Sequence, residues 1–259
     1  MRRMKCFRTA AVVIVLAAIS AGVFAQGRRS FRWGGVSGNV EYDAKLTFAR
    51  VRFDSGVQGF SRRGSNGEPP WAHDYPTADI HLMKILDELT SAAPHVDGSS
   101  VVTFDDPELF NYPIAYVSEP GMWLATDAEI AGVRAYLKKG GFLIFDDFRC
   151  DDWYNLEAQM KRALPEARWV ELDHAHPIFN SFFEIKNFNF GAYARECGQE
   201  KYFGIFQDND PAKRLLAIAG LNHDLGEFWE FSDTGYVPID LSNEAYKFGV
   251  NYYIYGLTH

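Results

Sequence analysis

Long apolar runs are nearly absent from this 259-residue chain, and the one that exists lies at the amino terminus. Ala10 to Phe24 is almost wholly apolar, follows Arg2, Arg3, Lys5 and Arg8, and ends at the small residues of Val23-x-Ala25. Such a run falls short of the roughly 20 residues that span a bilayer. A basic, then apolar, then small-residue order is that of a cleavable export signal, here residues 1–25. The expectation is a periplasmic or secreted protein with no membrane span after cleavage. Retention of the signal as an inner-membrane anchor is the alternative.

Cysteine is equally scarce. Of three, Cys6 lies in the leader, and Cys150 and Cys197 cannot form a disulfide scaffold by themselves. An oxidising compartment would allow them to pair; spacing alone does not decide it. Basic charge is also in deficit. Cleavage removes four of 26 Lys and Arg and none of 34 Asp and Glu, leaving 22 against 34, a net charge of −12. Such a surface repels phosphate backbones, which argues against nucleic acid as a partner. Nucleophile elbows of the Gly-x-Ser-x-Gly kind, Walker sequences and dinucleotide fingerprints are missing. Acyl transfer by serine and nucleotide chemistry of the common kinds are therefore not expected.

What is present is an alternation of strand and helix signals. Beyond a Gly-rich leader at 26–44, residues 45–259 read as a single α/β domain, and 47% hydrophobic content suits one large core. "KLTFARVRFD" (45–54) is strand-like, and 55–71 is a long Gly- and Pro-rich loop. A helix follows, with Leu82, Ile85, Leu86 and Leu89 on one face and Thr77 as its expected N-cap. "SVVTF" and "PIAYVSEPG" are strands. The next helix has Thr126 and Glu129 as a capping box and ends at Gly140-Gly141. "FLIFDD" (142–147) is a strand of the type buried on both faces, followed by a helix from 152 to 165 and the strand "RWVELD". The order predicts a mostly parallel sheet with helices on both faces. The final third is aromatic-rich: "FFEIKNFNF", "YFGIFQD" and "RLLAIAGLN" read as a β extension, and 243–258 as a closing helix. Its Phe and Tyr residues are expected to be core.

In such sheets ligands bind beyond the carboxyl ends of strands. Asp54, Glu119 and Asp146-Asp147 stand at expected strand ends, and two carboxylates where a buried strand emerges must be solvated, paired or bound. Asp151 and Asp152 suit helix capping. His174-x-His176, beside Asp173, would present both imidazoles on one strand face, a possible but weak divalent-metal pair. His73, Asp74 and Asp79 surround a helix start, where a favourable meeting with the helix dipole accounts for them. Asn222, His223, Asp224 and Glu227 lie in a polar turn in which His223 and Glu227 are not explained by turn chemistry.

Two functional classes follow. The first is a binding or accessory module for a sugar, a small ligand or a partner protein, with Asp74, Tyr75, Glu119, Asp146, Asp147, His176, Asn222, Asp224 and Glu227 lining its mouth and no cofactor. The second is a hydrolase, metal-assisted or not, using Asp146 or Asp147 with His176 or His223.

"LTFARVRFDSG", "WAHDYPTADIHLMKILDELTS", "DPELFNYPIAYVSEPG", "LKKGGFLIFDDF", "HPIFNSFFEI" and "DLGEFWE…GVNYYIYGLT" together resemble a bacterial family known as domain of unknown function 4159, over residues 45–258. The resemblance implies no particular activity. Its pattern is similar in turn to class I glutamine-amidotransferase-like, flavodoxin-like folds, through the strand–helix–strand module at 116–148. Amidotransferases of that class carry a cysteine elbow with a later His–Glu pair. Asp146-Asp147 stand at the matching strand end here, which speaks against glutamine hydrolysis. Other members of the superfamily act on sugars or serve as interaction domains.

Overall fold

The computed structural model describes residues 38–56, 68–189 and 197–259. The expected signal, the front of the leader and most of the long loop lie outside them. The compact unit runs from Gly38 to His259. It begins before residue 45, because the Asn39 side chain brackets Val101, accepting from its N–H at 2.9 Å and donating to its carbonyl at 3.0 Å.

Seven strands form one sheet in the order β2-β1-β3-β4-β7-β6-β5. They are β1 (Ala49–Val51), β2 (Ser100–Val102), β3 (Ile114–Ser118), β4 (Phe142–Phe148), β5 (Trp169–Leu172), β6 (Lys201–Phe206) and β7 (Leu215–Leu221). Strands β2, β1, β3, β4 and β7 are mutually parallel, while β6 runs antiparallel to both β7 and β5. The expected parallel core and C-terminal β extension are both present. The extension is smaller than the sequence suggested: Phe182 to Asn189 form no strand, and Phe190 lies outside the described residues.

The helices are α1 (Thr77–Leu89), α2 (Asp127–Lys138), α3 (Asp152–Ala163), α4 (Leu225–Glu230) and α5 (Ile239–Thr258). Alternate residues of the central strands feed opposite layers. Ile114, Tyr116, Phe142 and Ile144 pack with Leu82 and Leu86 of α1 and Phe248 of α5, while Ala115, Val117, Leu143 and Phe145 pack with Val133 of α2 and Met160 of α3. Burial on both faces is why β3 and β4 read as unbroken apolar runs. Among the described aromatics of the C-terminal third, Tyr202, Phe206 and Phe248 are core, with Tyr202 stacked on Phe248, whereas Phe182 is exposed.

Helix starts depart from expectation in detail. Thr126 and Glu129 do form the capping box of α2. Helix α1 starts at Thr77 behind Pro76 with no side-chain cap, and Asp151 precedes α3 without capping it. Asp152 instead accepts from the Arg149 N–H at 3.2 Å. The segment expected as a polar turn contains α4, whose N-cap Asp224 accepts from Glu227 N–H at 3.0 Å. Six residues carry too little periodicity to stand out in a sequence.

Cys150 and Cys197 form a disulfide with Cα atoms 5.1 Å apart. Asn222 sits over it, accepting from the Cys150 N–H at 3.0 Å and donating to the carbonyls of Cys197 and Gln199, both at 3.1 Å. Asn222 is thus a structural clamp rather than part of a ligand mouth.

Candidate functional site

Strand β1 is flanked by β2 on one side and β3 on the other, so connections leaving β1 and β3 diverge over opposite faces. A crevice at the carboxyl edge is the geometric result. Four pieces of chain meet there: the turn before α1 with His73 and Asp74, the turn after β3 with Glu119, the end of β4, and helix α4 with its cap.

Arg50 fixes the first piece. Its side chain is fully buried, pairs with Asp79 of α1, and donates from Nη1 to the carbonyls of Trp71 (3.2 Å) and His73 (2.8 Å). The rings of Phe48, Tyr75 and Tyr116 lie 5.7, 5.8 and 5.0 Å from its guanidinium. A buried guanidinium survives only when its donors are met. Asp79, expected to serve the helix dipole, is that partner. Tyr75 therefore lies beneath the pocket as packing for Arg50.

A bulge fixes the third piece. Phe145 pairs with Ala219 and Phe148 with Leu221, so Asp146 and Asp147 together oppose the single residue Gly220. Phe145 and Phe148 consequently face the same layer, and Asp147 takes φ +54°. Bulges re-aim side chains in this way. Asp147 turns to His73, whose Nδ1 lies 2.8 Å from its Oδ2. Asp146 stays in the layer of Tyr116, where its Oδ2 accepts from the Tyr116 hydroxyl (2.7 Å) and from the N–H groups of Leu225 (2.8 Å) and Gly226 (3.2 Å). The two carboxylates at the end of β4 thus divide: Asp146 anchors the start of α4, and Asp147 belongs to the pocket.

Asp74, with its side chain fully buried, has Oδ2 3.5 Å from the same His73 nitrogen. Gly226 is required beside it, since a Cβ there would lie 2.3 Å from Asp74 Oδ2. Asp224, Glu227 and Glu230 complete the carboxyl cluster from α4, and Glu119 approaches Asp147 from the β3 turn. Asn155 holds that turn by donating to the carbonyls of Pro120 (3.3 Å) and Trp123 (2.8 Å). A cleft of about 340 Å³ lined by Glu119, Met122, Asp147, Arg149, Asp151 and Asp152 opens onto this side of the cluster.

The electrostatics are those of crowded negative charge. Burial, and then the Asp224 carboxylate, push both Asp74 and Asp147 well above the usual carboxylate range, against the pull of His73. Burial likewise raises Glu227 and Glu230, with Asp224 adding to both. Burial alone would lower His73, but its hydrogen bond to Asp147 and the fields of Asp74, Asp147 and Asp224 push it up to about 11. Among the described residues, the His73 imidazole and the field of Arg50 at Asp74 oppose this crowding of carboxyl groups. Such a cluster retains protons or takes a cation. Two sets have metal-compatible spacing: His73, Asp74 and Asp147, and Asp74, Glu227 and Glu230.

Several expected residues lie elsewhere. His223 does approach Asp146, at 3.7 Å, but both are buried, and the imidazole packs between Tyr202 and Phe248. Strand β5 stops at Leu172, so His174 and His176 occupy a corner rather than one strand face. His174 Nδ1 is 3.1 Å from the Ile185 carbonyl and its ring stacks on Phe188. His176 accepts from the Ile178 N–H and packs on Phe206 and Tyr255. Phe206 pairs with Leu215, at the opposite end of the sheet from Asp147. His176 therefore joins neither Asp146 nor Asp147, and the Nδ1 atoms of His174 and His176 both meet backbone groups. Cys150, being in a disulfide, is no nucleophile. Sequence reasoning missed Glu230, Arg50 and the partnership of His73 with Asp147; an arginine between Ala49 and Val51 in a buried strand was the available signal.

No curated protein matches the chain. A family model described as a domain of unknown function (DUF4159) matches residues 47–257. With the match extending over most of the described fold, the chain belongs to the DUF4159 family.

Proposed function

We propose that the protein is an exported binding module whose carboxyl-lined crevice takes a positively charged ligand. The observation that carries this reading is the burial of Asp74 and Asp147 beside Asp224, Glu227 and Glu230, with the His73 imidazole drawn into the cluster. A cation entering the crevice replaces protons that these groups otherwise hold against burial, and it does so where water competes weakly.

Export is supported by the leader pattern of residues 1–25 and by the Cys150–Cys197 bond, since disulfides persist in oxidising compartments. Among the described residues no helix is long and apolar enough to cross a membrane. The strand order and the strand–helix–strand module at 116–148 support a likeness to glutamine-amidotransferase-like folds. Asp147 takes the end of β4 in this chain, which speaks against thiol chemistry there. For the hydrolase alternative, His176 is remote from both aspartates, while the 3.7 Å approach of His223 to Asp146 supports that pair, in a fully buried setting.

Calorimetric titration of the full chain with Mn²⁺, Ca²⁺, spermidine, arginine and glucose tests the reading. At least one cation is expected to bind, with Asp147→Asn weakening it tenfold or more and glucose giving no heat. Binding of glucose alone, or cation binding indifferent to D147N, would overturn it.

A further inference from the structure

Asp74 is the point at which two donor sets meet. On one side it stands 3.5 Å from His73 Nδ1, which is itself 2.8 Å from Asp147 Oδ2. On the other, it shares a set with Glu227 and Glu230 whose ligand atoms all lie within 4.8 Å of one another. Its side chain has no exposure, and neither oxygen accepts a hydrogen bond from an N–H or hydroxyl group among the described residues. The carboxyls of Glu227 and Glu230 lie beside it, with a ligand oxygen of each within 4.8 Å. Carboxylates crowded this closely in a buried site favour taking up a proton or a cation. A buried carboxylate with both oxygens lacking a donor is an unusual and costly arrangement in a folded interior.

The separations fit metal ligation. Donors bound at about 2.1 Å to one ion stand about 3.0 Å apart when cis in an octahedron and about 3.4 Å apart in a tetrahedron. The 2.8 and 3.5 Å separations around His73 fall at those values. The donor set is also held in advance. Arg50 grips the His73 carbonyl, the β4 bulge directs Asp147, and Gly226 lets the backbone of α4 close against Asp74. Prearranged carboxylates with one imidazole suit Mn²⁺, Fe²⁺ or Zn²⁺ better than a soft thiophilic ion.

We propose that Asp74 bridges two divalent metal ions, one held with His73 and Asp147 and the other with Glu227 and Glu230. Carboxylate-rich pairs of ions typically sit about 3.5–4 Å apart, which one shared carboxylate can span. The inference rests on the reading of the crevice as a cation site and specifies its occupant. The cleft beside Glu119 and Asp147 would give a further ligand access to the first ion.

Metal content and spin coupling test it. The full chain, stripped with chelator, loaded with MnCl₂ and dialysed, should retain two Mn per chain by mass spectrometry and give an exchange-coupled paramagnetic resonance spectrum. The double variant Glu227→Gln, Glu230→Gln should retain one Mn with the six-line spectrum of an isolated ion. Asp74→Asn should retain none, and circular dichroism melts establish that each variant is folded. One ion in the unaltered protein, or two ions surviving in E227Q/E230Q, would overturn the bridge. No manganese together with spermidine binding that D147N abolishes would overturn the metal pair and leave the cationic crevice standing. Neither manganese nor any organic cation bound would remove both.

Discussion

Arg50 illustrates how much a single residue determines here. Its guanidinium joins strand β1, helix α1 and the turn carrying His73, and its side chain and that of Asp79 are fully buried. Removing one partner of such a pair leaves the other charge stranded. Arg50→Met is expected to cost about 3–5 kcal/mol in urea unfolding, and the double change R50M/D79L to recover most of it. Equal losses in the single and double variants would contradict that account. Gly226→Ala is predicted to act differently. Its new Cβ would meet Asp74 Oδ2, so it should lower stability by about 1–3 kcal/mol and weaken cation binding at the same time; unchanged binding by calorimetry would count against the close packing of α4 on the pocket. At this scale the sequence was only partly legible. Asp147, Asp74, Asp224 and Glu227 could be singled out as acids at strand and helix ends. His73 could not be assigned to Asp147, because that contact spans 74 residues and depends on a bulge that no local pattern announces.

Among the elements, the short ones carry the site. Helix α4 is six residues long and starts on Asp146, so the pocket acids Glu227 and Glu230 are positioned by a buried neighbour from β4. Helix α2, by contrast, supplies none of the clustered acids named above and is well capped. Thr126→Ala should lose about 1 kcal/mol and leave cation affinity unchanged, which thermal melts and calorimetry on one preparation would check. The disulfide ties the segment after β4 to the one before β6 across a separation of 47 residues. Replacing both cysteines by serine is expected to lower stability by about 2–4 kcal/mol, with urea midpoints as the readout; an unchanged midpoint would show that Asn222 and the strand ladder suffice. Long periodic elements such as α1, α2 and β4 were legible from sequence, since packing on both faces imposes their patterns. The antiparallel turn-back of β6 was not, because a buried strand reads alike in either direction.

For the molecule as a whole, the dominant feature is negative charge gathered at the carboxyl edge of the sheet. Asp74, Asp147, Glu227 and Glu230 have native proton affinities above those of the unfolded chain, and His73 does too. The native state therefore binds more protons than the unfolded state, and stability must fall as pH rises. For the carboxyls this begins above the ordinary carboxylate range near pH 4; for His73 it extends from about 6.5 towards 11. Chelator-treated protein should melt at progressively lower temperature from pH 5 to pH 9, and Mn²⁺ should raise the melting temperature most at the upper end. A melting temperature rising over that range would contradict the pocket electrostatics. Crystals soaked in MnCl₂ and measured at the manganese absorption edge offer the most direct test of the central claim. Strong anomalous density within bonding distance of His73 Nδ1, Asp74 and Asp147 is the predicted result; density confined to surface carboxylates, with none at Asp74, would contradict it.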